Sequence, residues 1–153
     1  MIDTIVLLLS KKDFTITNPE NFSPSAHWIL KHSIYTTYHL KPIQFSKNNA
    51  TNYRPRLTLS NRNNVDGVLD TVLKIEFSIP KLLHGNNFIE VRYKDFDAIT
   101  MKLHQILAHM GVQTTVAGLQ SAPVTTVHYA KNIVLTDGTT PHYLISKLQK
   151  MCM

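Results

Sequence analysis

An α+β fold, a mostly antiparallel sheet with helices packed on one face, is the class this sequence predicts. Three observations predict it. Short apolar or alternating runs of strand length fill much of the first 80 residues, the stretch from 98 to 110 carries helical spacing, and the order reads strand, strands, short helix, long helix, strands, helix. With 153 residues and 43% hydrophobic content, a chain buries about two-thirds of its unfolded surface, so a single domain over 1–153 is expected.

Ile2 to Ser10, IDTIVLLLS, predicts a buried strand near the centre of a sheet, being short, rich in Ile, Val and Leu and bounded by polar residues. Asn18 to Asn21 predicts a turn around Pro19. Ser23-Pro24-Ser25 and the following AHWILKH predict a loop or one irregular turn, with strand pairing resuming from Ser33 to Leu40. Asn48 to Asn52 is polar and turn-prone. Arg56 to Ser60 alternates after Pro55, with Leu57 and Leu59 on one face, and Asn61 to Gly67 is a loop or hairpin connection.

From Val68 the alternation is clearest, with Leu73, Ile75 and Phe77 on one face and Val72, Lys74 and Glu76 on the other. Pro80 stops the strand's ladder, and Lys81 to His84 makes a short helical turn ended by Gly85. Phe88 to Tyr93 reads as a short helix or strand. Asp95 or Asp97 is placed to cap a helix in which Ile99, Leu103, Ile106, Leu107 and Met110 share helical spacings, and Gly111 closes it. Thr125 to Leu135 predicts one or two strands, Asp137-Gly138 a tight turn, and Thr139 or Thr140 the cap of a last helix from Pro141 with Tyr143, Leu144 and Leu148 inward.

The net charge is +6, from 16 Lys and Arg against 10 Asp and Glu, which strengthens attraction to polyanions. Residues 1–60 carry a net +4, residues 61–100 a net −1 and residues 101–153 a net +3, so the flanks are expected to supply any nucleic-acid surface and the centre its scaffold. Cys152 is the only cysteine, which leaves no disulfide framework and suits a reducing, cytoplasmic setting. The longest apolar run, Ile5 to Leu9, is far short of the roughly 20 residues that cross a bilayer, so no membrane partner is expected.

Eight histidines invite a metal reading, but their spacing does not support one. His27 and His32, and His104 and His109, are five apart, which on a helix turns about 500° and separates their faces. Glu76 is a lone carboxylate on the outward face of its strand, open to a metal role or to an ion pair with Lys74. His128 and Tyr129 are neighbours on a strand and point to opposite faces, so Tyr129, a candidate nucleophile, lacks an adjacent activating group. Tyr53-Arg54-Pro55-Arg56 sets two guanidinium forks on a stiff segment beside an aromatic, and with His128, Tyr129 and Lys131 it interleaves aromatic and basic groups as single-strand binding surfaces do.

Several blocks resemble a known family: Met1 to Ile5, Tyr53 to Leu59, Leu73 to Asn87 and His128 to Ile133. They are similar to the amino-terminal part of replication initiator proteins of filamentous phages and related plasmids, over most of the chain from Met1 to about Leu148. The resemblance implies a rolling-circle initiator nuclease fold, and an activity that nicks one origin strand through a tyrosine that stays joined to the 5′ phosphate. It implies a divalent metal, Mg or Mn, in the full-length protein. Those catalytic elements are expected downstream of this chain, which departs from a complete member in having no recognisable metal motif or nucleophile helix, so activity of the chain alone is left open.

Under the resemblance, Glu76 approaches the metal centre, and Tyr53, Arg54, Arg56, His128 and Lys131 guide single-stranded or origin DNA. The expected function is therefore a DNA-binding, origin-recognition region that positions DNA for nicking completed elsewhere. The alternative is a non-catalytic phage- or plasmid-encoded protein-interaction domain.

Overall fold

The computed structural model describes residues 2–30, 33–40, 53–63, 69–130 and 138–151. Strands β1 (Ile2–Ser10), β2 (Phe14–Ile16), β3 (Phe22–Leu30), β4 (Ser33–Leu40), β5 (Arg56–Asn63) and β6 (Leu69–Ser78) come first. Helices α1 (Ile79–His84) and α2 (Phe96–His109), strand β7 (Val112–Thr114), helix α3 (Val116–Ser121), strand β8 (Val124–Tyr129) and helix α4 (Pro141–Met151) follow. The fold is α+β. Six strands form one sheet in the order β3-β4-β5-β6-β1-β8, every pairing antiparallel, and β2 with β7 forms a small ribbon.

Because β6 and β8 are each antiparallel to β1, they run parallel to one another with β1 between them. Their connection carries α1, α2 and α3 over one face, a split β-α-β unit. β1 therefore lies inside the sheet, and its apolar run is buried on both faces: Val6, Leu7 and Leu9 are 5%, 6% and 1% exposed.

Alternation along β6 decides the core. Leu73, Ile75 and Phe77 are fully buried, paired with Leu9, Leu7 and Ile5 of β1. Leu57 and Leu59 of β5 extend the same layer. α2 covers it with Ile99, Leu103 and Leu107, followed by Met110, all buried at the spacing expected of a one-sided helix. α1 opens with Pro80 in its first turn and ends at Gly85, whose φ of 74° is left-handed.

Several expectations are corrected. Ser23-Pro24-Ser25 is not a loop but part of β3, where Pro24 pairs with Tyr38 and a register shift separates Pro24 from Ala26. An edge strand tolerates a proline because its missing N–H need not face a neighbour. Phe88 to Tyr93 forms neither a strand nor an α-helix; residues 85–92 are irregular and lead into a 3-10 turn at Tyr93–Asp95. There the Asp95 carboxylate accepts from the Arg92 N–H at 2.7 Å instead of capping α2 with its side chain. Tyr143 is not inward-facing but 53% exposed, with the Lys147 ammonium 5.1 Å from its ring centroid, one helical turn on. Thr140 does cap this helix, accepting from the Tyr143 N–H at 3.3 Å. Asn61 to Asn63, expected in a loop with the residues up to Gly67, instead continue β5 opposite Thr71, Asp70 and Leu69; the rest of that loop, the expected turn at 48–52 and the extension of β8 from 131 to 135 lie outside the described residues.

The short elements β2, β7 and α3 close the layer. Gly111, which ends α2, has φ 80°, and its carbonyl accepts from the Thr17 N–H at 2.9 Å, joining helix and ribbon. A Cβ there would stand 2.9 Å from Asn18 Cβ. Gly111→Ala is expected to cost about 2 kcal/mol, the left-handed penalty plus the close approach, and to lower the melting temperature by about 5 °C in a thermal scan. No described helix is long and apolar enough to cross a membrane.

Candidate nucleic-acid interface

The antiparallel register brings four separate parts of the sequence to one end of the sheet. β5 begins where β6 ends, β1 begins beside that point, and β8 ends beside β1. Arg56 pairs with Glu76, Glu76 with Val6 and Val6 with Thr126, one row running across four strands. Next to it, Thr4 pairs with both Ser78 and His128. Directly opposed residues share a face, so Arg56, Thr58, Lys74, Glu76, Thr4, Val6, Thr126 and His128 all lie on the face away from α2. The row from Arg56 to Thr126 spans roughly 14 Å, three interstrand spacings.

The expected site residues divide by environment. Arg56 and His128 are exposed on this face, and Arg54, two residues before β5, is half-buried at the same end. Partial burial lowers the Arg54 pKa, and a guanidinium stays protonated throughout the working range. The Glu76 carboxylate lies 3.7 Å from the Lys74 ammonium. Lys74, expected as an ion-pair partner for Glu76, thus also joins the face as a cation. Its place was legible in the β6 alternation, which sets positions 74 and 76 on one side.

Tyr53 sits at this end too, half-buried, with its ring against the core. Its hydroxyl accepts from the backbone N–H of Ser78, the residue that precedes α1. Ser78 Oγ lies 3.2 Å from both Asp3 Oδ1 and Asn87 Oδ1, which share its one proton, and Thr4 Oγ1 donates to Asp3 Oδ2 at 2.9 Å. Tyr53 therefore ties the start of β5, the end of β6 and the start of β1 together. Tyr129 is 77% exposed and pairs with Ile2, while Lys131 lies outside the described residues.

Burial raises the Tyr53 pKa, the Ser78 N–H partly opposes this, and the negative charges of Asp3 and Glu76 add to the rise. Above about pH 10 the unfolded chain loses this proton first. Proton binding then favours the folded state less as pH climbs, so stability is expected to fall from about pH 10 upward through the raised folded pKa. Tyr53→Phe should remove this contribution to the alkaline decline and cost about 1–2 kcal/mol at neutral pH, by leaving the Ser78 N–H without its acceptor. Urea unfolding of both proteins at pH 7 and pH 11 checks both expectations.

Among the described residues no group of three or more His, Cys, Asp or Glu side chains is placed to hold a metal ion. What this face offers chemically is guanidinium, ammonium, imidazole and hydroxyl groups, with the Glu76 carboxylate among them, around the buried Val6. Comparison with protein-family models, curated proteins and solved structures finds no match to this chain.

Proposed function

We propose that this chain is the DNA-holding part of a rolling-circle replication initiator of the phage and plasmid type. On this reading its sheet has the initiator nuclease fold, and it lays single-stranded origin DNA over the polar face for tyrosine-mediated nicking completed by further residues of a longer protein. The observation that supports the reading most is that Arg56, Lys74 and His128 share one face of one sheet although they come from sequence positions far apart, with Arg54 two residues before β5. Phosphate oxygens suit guanidinium and ammonium donors, and threonine hydroxyls between them suit phosphate or sugar contacts. A sheet face of this kind positions a strand through its phosphates and sugars.

Fluorescence anisotropy with a labelled single-stranded oligonucleotide tests the proposal. Affinity should fall steeply as salt rises, because each phosphate neutralised releases counterions. Binding that is absent, or insensitive to salt, removes the proposal. The alternative, a protein-interaction domain, draws support from the exposed apolar side chains Val124, Phe96 and Met101. In that case partner binding should survive an excess of single-stranded DNA.

A further inference from the structure

Phe88 is 84% exposed, more than any other large apolar side chain among the described residues. A lone apolar group at the surface is ordinary, but two observations set this one apart. The first is that its backbone is fixed. Gly85 turns the chain out of α1 in the left-handed region, and Lys102 Nζ donates to the Leu83 carbonyl at 3.0 Å. Asn86 then clasps the turn: its Nδ2 donates to the His84 carbonyl at 3.2 Å and its Oδ1 accepts from the Phe88 N–H at 3.0 Å. The second observation is its place. Asn87 Oδ1 lies 3.2 Å from Ser78 Oγ, Ser78 pairs with Thr4, and Thr4 pairs with His128. The foot of the loop therefore stands two interstrand spacings, roughly 10 Å, from His128. Arg56 lies opposite Glu76, two residues back along β6.

We propose that Phe88 is a stacking platform for one unpaired base of the strand held on the polar face, an inference that rests on the DNA-holding reading of that face. Two features favour a base over a partner protein's side chain. The loop adjoins a surface carrying guanidinium, ammonium and imidazole groups, so a strand whose phosphates lie there brings its bases within reach of the ring. The apolar area is also small. Phe88 and Ile89, the latter 48% exposed, stand between Asn87 and Glu90. That suits one planar base, but is little beside the roughly 800 Å² that each side of a stable protein interface buries.

The loop's own charges balance, Arg92 and Lys94 against Glu90 and Asp95, so it adds a π-face and no net attraction for phosphate. The polar face then supplies the salt-dependent grip, and Phe88 a contact that any base satisfies. This contact also selects strandedness. In a duplex every base is stacked and paired, and presenting one to Phe88 costs unstacking, so single strands are preferred.

Fluorescence anisotropy with a short labelled oligothymidine, an abasic strand of the same length and a hairpin duplex tests this. Phe88→Ala should weaken oligothymidine binding by about 5- to 100-fold, the loss of one stacked base, with the slope of log affinity against log salt unchanged. The same variant should bind the abasic strand and the duplex as the unaltered chain does, because neither offers a free base. Phe88→Tyr should restore oligothymidine binding to within about twofold, since its ring stacks as well. If the unaltered chain binds oligothymidine and Phe88→Ala binds it equally, the inference fails while the DNA-holding reading stands. An equal loss on the abasic strand, a changed salt slope, or failure of Phe88→Tyr to restore binding likewise overturns the inference alone. No oligothymidine binding by the unaltered chain overturns the DNA-holding reading and this inference with it.

Discussion

Phe77→Ala is expected to destabilise the protein by about 3–5 kcal/mol, the range for removing a buried aromatic ring and leaving a cavity. Phe77 is 1% exposed on the helix-covered face of β6 and pairs with Ile5. Phe77 lines a groove between sheet and helices with Ile5, Ile79 and Ile99, so its loss enlarges a space that is already there. Domains of this size hold about 5–15 kcal/mol in all, so the variant should sit near the edge of folding, with a melting temperature lower by about 10 °C or more. Urea unfolding measures it. Arg56→Ala, an exposed change on the same sheet, should stay within about 0.5 kcal/mol; a loss below about 1 kcal/mol for Phe77→Ala would contradict the assignment of this face as the core.

The second large effect concerns binding. Replacing Arg54 and Arg56 together by glutamine should weaken single-stranded DNA binding by an order of magnitude or more at low salt. It should also flatten the salt dependence of log affinity by about 1.4, two phosphate contacts at roughly 0.7 each for single strands. The flattening separates a phosphate role from a structural one, because a misfolded protein loses affinity without a defined change in slope. Glu76→Gln makes the opposite prediction: removing the carboxylate beside Lys74 takes away a negative charge in the same row and should strengthen binding two- to fivefold, about 0.4–1 kcal/mol.

The parts of the fold that were legible in the sequence are those where one residue's neighbours along the chain decide its environment. β6 showed itself by alternation and α2 by helical spacing, because each packs one face and exposes the other. β1 showed itself by being apolar throughout. Pro24 misled because a proline reads as a break, and only the position of β3 at the sheet edge, a long-range fact, makes it acceptable. β2, β7 and α3 are too short to show a period.

The candidate site was legible in its residues and not in its geometry. Arg54, Arg56 and His128 were read from residue type, but the row Arg56, Glu76, Val6, Thr126 exists only through pairing between strands distant along the chain. Lys74 and Thr4 enter by the same route. The residues left Tyr53 open to stacking on a base or to packing against the sheet; its ring lies against the core, and its anchoring to Ser78 depends on the β5–β6 register.

The most direct test of the bound-strand reading is a nuclear magnetic resonance titration of the isotopically labelled protein with a short single-stranded oligonucleotide. Backbone amides of Thr4, Arg54, Arg56, Lys74, Thr126 and His128 should shift together and saturate with one affinity, while those of α2 remain in place. Shifts concentrated on α2 and α3, or none at all at millimolar oligonucleotide, would contradict it.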